Sequence, residues 1–169
     1  MKASRRFMRM SFAIVGSLFF SWPATSASIQ EGWSVIQSAT QDKSIAINAL
    51  YYEGRELWVV GADGMVMRSR DDGRNFEKVE IGIDAGLNDV YGRRDRLWII
   101  GDGGALAIST DGGRSFVKNP QRSYRKAGSS GKKLDFYSVQ FIDNDKGYIV
   151  GDEGLIMAST DGGISWQEQ

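Results

Sequence analysis

One phrase is written three times along the chain: Ser69-Arg-Asp71-Asp-Gly73-Arg-Asn-Phe76, Ser109-Thr-Asp111-Gly-Gly113-Arg-Ser-Phe116 and Ser159-Thr-Asp161-Gly-Gly163-Ile-Ser-Trp166. Each copy reads Ser-x-Asp-x-Gly-x-x-aromatic and follows an apolar run that closes on glycine, namely Leu57 to Gly61, Leu97 to Gly101 and Tyr148 to Gly151. Self-similarity at this period means a repeated supersecondary unit whose apolar faces are buried by stacking on its neighbours.

The run Glu56-Leu-Trp-Val-Val60 is too short for a helix and rich in β-branched and aromatic residues, so it reads as a strand. Gly61-Ala-Asp63-Gly64 turns the chain, because glycine and aspartate tolerate the positive φ of tight hairpins. Met65 to Ser69 returns as a second strand, the box turns again, Phe76 to Ile81 is predicted as a third, and Asn48 to Tyr52 supplies one upstream. Four short antiparallel strands recurring every ~40 residues predict an all-β fold, a β-propeller of four-stranded blades. About three blades are visible, over residues 44–82, 87–119 and 135–169.

Inside the box the aspartate is expected to accept hydrogen bonds from backbone N–H groups two residues on, and the glycine to take positive φ. The aromatic plugs the gap beside the hairpin. A motif present once per blade is turn architecture and not one active site, so Ser69, Asp71, Gly73, Phe76, Ser109, Asp111, Gly113, Phe116, Ser159, Asp161, Gly163 and Trp166 are read as structural.

The three phrases match the Asp-box, or bacterial neuraminidase repeat. The longer stretch Phe141-Ile-Asp-Asn-Asp-Lys-Gly147-Tyr-Ile-Val-Gly151-Asp-Glu-Gly154-Leu-Ile-Met-Ala-Ser159-Thr-Asp161-Gly-Gly163-Ile-Ser-Trp166 resembles a blade of the photosystem II assembly and stability factor family. The resemblance covers about residues 33–169 and implies a non-catalytic propeller that binds a protein partner, through an arginine-rich surface in family members, while a membrane complex is assembled. The Asp-box also occurs in glycosidases, which leaves a carbohydrate-binding or degenerate sialidase-like propeller as the alternative reading.

Catalytic chemistry has little to draw on. The chain has no histidine and no cysteine, so a Ser-His triad, a His-ligated zinc site and a thiol nucleophile are excluded, as are disulfides and a lipid-modified cysteine. The Arg-Ile-Pro phrase of sialidases is absent, and the two prolines are Pro23 and Pro120. Asp143-Asn-Asp145-Lys-Gly147 opens like a calcium loop, but its twelfth position is Gly154 where a bidentate glutamate is needed, so it reads as a hairpin turn. No catalytic residue, metal or cofactor is assigned.

Residues 1–27 read as a secretory signal: Lys2, Arg5, Arg6 and Arg9 without an acid, an apolar stretch from Met10 to Trp22, then Pro23-Ala-Thr-Ser-Ala27. The expectation is an exported chain with its propeller domain over 28–169, in the periplasm, or in the thylakoid lumen of a phototrophic host. Removing the four signal charges leaves 17 basic against 21 acidic residues, which argues against nucleic acid as a partner.

Two basic clusters remain as candidate partner-binding sites. The insertion 119–133 lengthens the box spacing from 40 to 50 residues and carries Arg122, Arg125, Lys126, Lys132 and Lys133 without an acid. Arg93, Arg94 and Arg96 belong to the first hairpin turn of the second blade. Propeller geometry puts these clusters at opposite ends of the blades. Because Gly32-Trp33-Ser-Val-Ile-Gln37 resembles an outermost strand and the chain finishes on another, two blade faces are left without a neighbour. Either the chain is a fragment of a longer propeller or copies of it associate as a homo-oligomer to close a ring.

Overall fold

The computed structural model describes residues 45–118 and 133–169. They lie in the larger of two units, Ile36–Gln169. The expected signal at 1–27, the expected strand at Trp33–Gln37 and most of the basic insertion fall outside the described residues.

Within the described residues, twelve strands form three four-stranded antiparallel sheets, each in simple sequence order. The first blade is β1 (Ile47–Glu53), β2 (Glu56–Gly61), β3 (Val66–Ser69) and β4 (Glu77–Lys78). The second is β5 (Leu87–Arg93), β6 (Arg96–Gly101), β7 (Ala105–Ser109) and β8 (Val117–Lys118). The third is β9 (Phe136–Phe141), β10 (Gly147–Gly151), β11 (Ile156–Ser159) and β12 (Gln167–Glu168). The outer strand predicted over Phe76 to Ile81 is shorter, pairing only at Glu77 and Lys78. An outermost strand has a partner on one side alone, so little holds it once the chain leaves for the next blade.

The registers superimpose position for position. Leu57, Leu97 and Gly147 lie opposite the box serines Ser69, Ser109 and Ser159. Trp58, Trp98 and Tyr148 follow next along their strands. The second strand of the middle blade is buried on both faces, which is why Leu-Trp-Ile-Ile reads as an unbroken apolar run and not as an alternation. β1 packs on β5 and β5 on β9, so the blades stack through their first strands.

Two cores fill the junctions. Trp58, Val60 and Val66 of the first blade meet Leu87 and Val90 of the second. Trp98, Ile100 and Leu106 of the second meet Phe136, Val139 and Phe141 of the third. Burying a side chain of this size contributes about 1.5 to 3 kcal/mol each, so stacking carries much of each blade's stability.

The turn between second and third strands is one 3-10 turn in each blade. Its last two residues are left-handed: Asp63 and Gly64, Gly103 and Gly104, Glu153 and Gly154. The glycine holds the second of these positions in all three blades because a Cβ there costs about 1 to 2 kcal/mol.

Candidate interaction surface

The three boxes share one hydrogen-bond network. Each serine hydroxyl donates to Oδ1 of the box aspartate at 2.8 Å. The serine Oγ in turn accepts from the box glycine N–H, at 2.9 Å for Gly73 and 2.8 Å for Gly113 and Gly163. The aspartate Oδ1 accepts from the N–H of Asn75, Ser115 or Ser165 at 2.8 to 2.9 Å, and Oδ2 takes the side-chain donor of that residue. The aspartate therefore reaches four residues on, not the two expected from Asx-turn chemistry, because the serine hydroxyl already occupies the nearer donors. Asn75, Ser115 and Ser165 were not singled out in the sequence, although a short polar residue recurs there in every copy.

These bonds set the acidities. The Asn75 amide, then the Asn75 N–H and the Ser69 hydroxyl, hold the Asp71 carboxyl down at about 2. The Ser115 hydroxyl and N–H, with Ser109, push Asp111 far below the usual carboxylate range. Burial raises Asp161, but the bonds from Ser165 and Ser159 outweigh it and the net shift is downward. Carboxylates stabilised this strongly as anions are poor proton donors near neutral pH.

Box and first hairpin turn are clamped together at one end of each blade. Gly112 N–H donates to the Asp95 carbonyl at 2.8 Å, Gly162 to Asp145 at 2.9 Å, and Asp72 to Arg55 at 3.3 Å. The aromatics behave differently from one another. Trp166 is buried, donates from Nε1 to the Gly163 carbonyl at 2.9 Å and stands edge-on to Phe141. Phe76 and Phe116 are half-buried.

The roof over each following box is a tryptophan from the preceding blade. A Cβ at Gly113 would run into the Trp58 ring, and one at Gly163 would lie 2.6 Å from Trp98 Nε1. Trp98 Nε1 also donates to the Gly162 carbonyl at 2.9 Å. Gly163 has φ +89°, so close approach and left-handed backbone both demand glycine. The tryptophans were legible only as strand residues, because their partner boxes are a blade away.

The basic turn of the second blade is divided by its contacts. Arg93 Nε donates to Asn144 Oδ1 at 3.2 Å, and Arg96 Nη1 to the Asn144 carbonyl at 2.7 Å, so both reach across to the third blade. Arg94 is exposed, with left-handed backbone at φ 56°. Arg74 and Arg114, exposed within their boxes, add positive charge at the same end. Arg114 also lines an open cleft of about 600 Å³ together with Glu56, Arg70, Asp95, Thr110, Asp111 and Gly112, a wall of mixed charge. Asp143 Oδ1 accepts from the N–H groups of Asp145 and Lys146 at 2.9 and 2.7 Å, which makes its loop a side-chain-braced turn. Of the basic insertion only Lys133 is described; it is exposed and lies along the Gly103 turn, at the other end of the blade. Arg122, Arg125, Lys126 and Lys132 lie outside the described residues.

Four-stranded antiparallel blades capped by this network define an Asp-box β-propeller, and residues 157–168 match the BNR/Asp-box repeat family. Among solved structures the chain resembles the propeller YCF48 in a complex described as YCF48 bound to D1 peptide, with 24% identity and a TM-score of 0.62 over 73% of this chain and 40% of that one. YCF48 from Cyanidioschyzon merolae is similar at 22% identity and a TM-score of 0.60, over 73% of this chain and 37% of the other. A GH74 enzyme of Niastella koreensis shares the fold at 19% identity and a TM-score of 0.52, over 72% and 22%. The chain thus spans about two fifths or less of the length of each structure it resembles. No curated protein matches it.

Proposed function

We infer that the chain is an exported, non-catalytic propeller module that binds a protein partner and serves as an assembly or scaffold factor for a membrane or envelope complex. The observation that carries this reading is the likeness in fold to YCF48, a propeller seen with a peptide bound. The box end supports it with exposed Arg74, Arg94 and Arg114, the last of which lines the mixed-charge cleft. Lys133, the described end of the basic insertion, adds an exposed positive charge at the opposite end. The non-catalytic part is supported by the three box aspartates, each committed to its own turn. The basic, apolar and small-residue succession of the first 27 residues supports export to the periplasm, or to a thylakoid lumen in a phototroph.

Capture of partners from a native envelope extract on the immobilised mature chain tests the reading. Capture is expected to weaken as salt rises, since exposed charges are screened over about 10 Å at 0.1 M. Neutralising Arg74, Arg94 and Arg114 together, or Arg122, Arg125, Lys126, Lys132 and Lys133 together, should reduce it for whichever surface is used; single exposed charges contribute only about 0 to 1 kcal/mol. Unchanged partners and salt response in both variants would remove the basic surfaces from the account. Hydrolysis of a fluorogenic sialoside would overturn the non-catalytic reading. An intact Met1 to Ala27 segment in protein recovered from cells would overturn export.

A further inference from the structure

The two buried junctions follow one rule that the outermost faces also satisfy. At each junction three residues at fixed register positions on the second and third strands of one blade receive residues from the first strand of the next. In the second junction the receiving trio is Trp98, Ile100 and Leu106, and the inserted trio is Phe136, Val139 and Phe141. The matching receivers on the third blade are Tyr148, Val150 and Ile156, and the matching first-strand residues on the first blade are Ile47, Leu50 and Tyr52. All six are exposed, from 42% at Val150 to 64% at Leu50, while their counterparts inside the stack are buried. Among the described residues, apolar side chains at register positions that are otherwise core are thus left exposed on the first and third blades.

The second junction adds a charged contact that the first, with Glu56 at the Arg96 position and open space at Gly112, does not have. Arg96 of the second blade lies over the third box, where a Cβ at Gly162 would run into its Nη1. The residue at the Arg96 position of the third blade is Lys146, and the residue at the Gly162 position of the first box is Asp72. The other two boxes have glycine there at φ 72° and 76°, whereas Asp72 sits at φ 60° with a side chain. An acid, which also accepts from Arg55 Nε at 3.2 Å and from the Tyr52 hydroxyl at 3.1 Å, thus stands where the register of the second junction delivers a lysine.

We propose that the back of the third blade docks on the front of the first blade of a second copy of this chain. Tyr148, Val150 and Ile156 pack on Ile47, Leu50 and Tyr52, and Lys146 pairs with Asp72. Front meets back twice around a twofold axis, so the contact closes on itself and does not run on as a filament. The described blades of two copies number six, within the roughly 4 to 8 of closed propellers. This gives the expected homo-oligomer a specific interface and is independent of which partner the ring binds.

Light scattering on the full mature chain should give twice the chain mass at micromolar concentration. Leu50→Arg and Val150→Arg, each alone, spoil both junctions and should give monomers with an unchanged β-type circular dichroism spectrum. Mixed together they retain one intact junction, Leu50 of the second variant against Val150 of the first, and should return to a dimer. A second test avoids the apolar positions: Lys146→Glu should weaken the dimer at least several-fold, and adding Asp72→Lys should restore it. A monomeric wild-type chain would overturn the proposal. So would a dimer that survives Leu50→Arg or Val150→Arg, a folded mixture that stays monomeric, or a charge reversal without rescue.

Discussion

The junction between the first and second blades and the junction between the second and third occupy the same register positions, yet they are built differently. The second is dense in aromatics and cross-links. Trp98 and Phe141 stack with ring centroids 3.8 Å apart, Tyr91 donates to the Phe141 carbonyl at 2.9 Å, and Asp89 Oδ2 accepts from the Ser138 hydroxyl and the Val139 N–H at 2.9 Å. The first has a tryptophan in the same place, but Trp58 meets Phe116 edge-on at 6.1 Å. Where the second junction holds Ile108, the first holds the buried Arg68, with its guanidinium 5.1 Å from the Trp58 ring. Arg68 pairs with Glu77 at 2.6 Å, while its Nη1 is buried without a hydrogen bond. Repetition therefore fixes where a junction forms, and the particular side chains decide how strongly it holds.

The largest difference should come from the tryptophans. Trp98→Ala removes a fully buried ring, its stack and its bond to Gly162, for an expected loss of about 3 to 5 kcal/mol. Trp58→Ala should lose less, since among the described residues it makes no hydrogen bond of that kind and its ring meets Phe116 only edge-on. Urea unfolding of both variants measures this, and equal losses would mean that the aromatic density of the second junction adds nothing.

A polar cross-link gives the next contrast. Tyr91→Phe leaves the ring and deletes only the bond to the Phe141 carbonyl, for about 0.5 to 1.5 kcal/mol. Tyr51, the same position in the first blade, donates instead to Glu53 at 2.7 Å on the exposed surface. Tyr51→Phe should leave the unfolding midpoint nearly unchanged. Arg68→Met probes the first junction from the other side. Replacing a buried guanidinium with an apolar chain of similar length is often neutral or favourable, so a change within about 1 kcal/mol or a gain is expected. A loss well beyond that would show the Arg68 pair to be a net stabiliser.

What the sequence made legible follows the same division. The boxes and strands could be read because their chemistry is local: Ser109, Asp111 and Gly113 satisfy one another within five residues. The junctions could not, because Trp98 meets Gly162 across 64 residues and Arg96 meets Asn144 across 48. Arg93 and Arg96 read as part of a free basic turn for that reason, and only contact with the third blade separates them from Arg94. The strand expected over Phe76 to Ile81 pairs only at Glu77 and Lys78, because nothing local in the sequence marks where an outer strand loses its partner.

Acid separates the boxes from the junctions and is the smallest effect expected. Asp71 titrates at about 2 in the folded chain, and Asp111 and Asp161 are also lowered, against about 3.9 for an aspartate in an unfolded chain. A folded-state value below the unfolded one favours folding above the unfolded pKa, and that contribution is lost as the pH falls through the folded value. The melting midpoint should therefore be flat above about pH 4 and decline toward about pH 2. Because every box carries the same network, the decline should be similar in the Trp58→Ala and Trp98→Ala backgrounds, whose damage lies in the junctions. Asp111→Asn should lower the midpoint at neutral pH and flatten the acid decline, since one titrating carboxylate is gone. An acid decline as steep in Asp111→Asn as in the wild type would place the sensitivity elsewhere, with Glu77, lowered by its bond from Arg68, and Asp143, lowered by the N–H groups of Lys146 and Asp145, the first groups to examine.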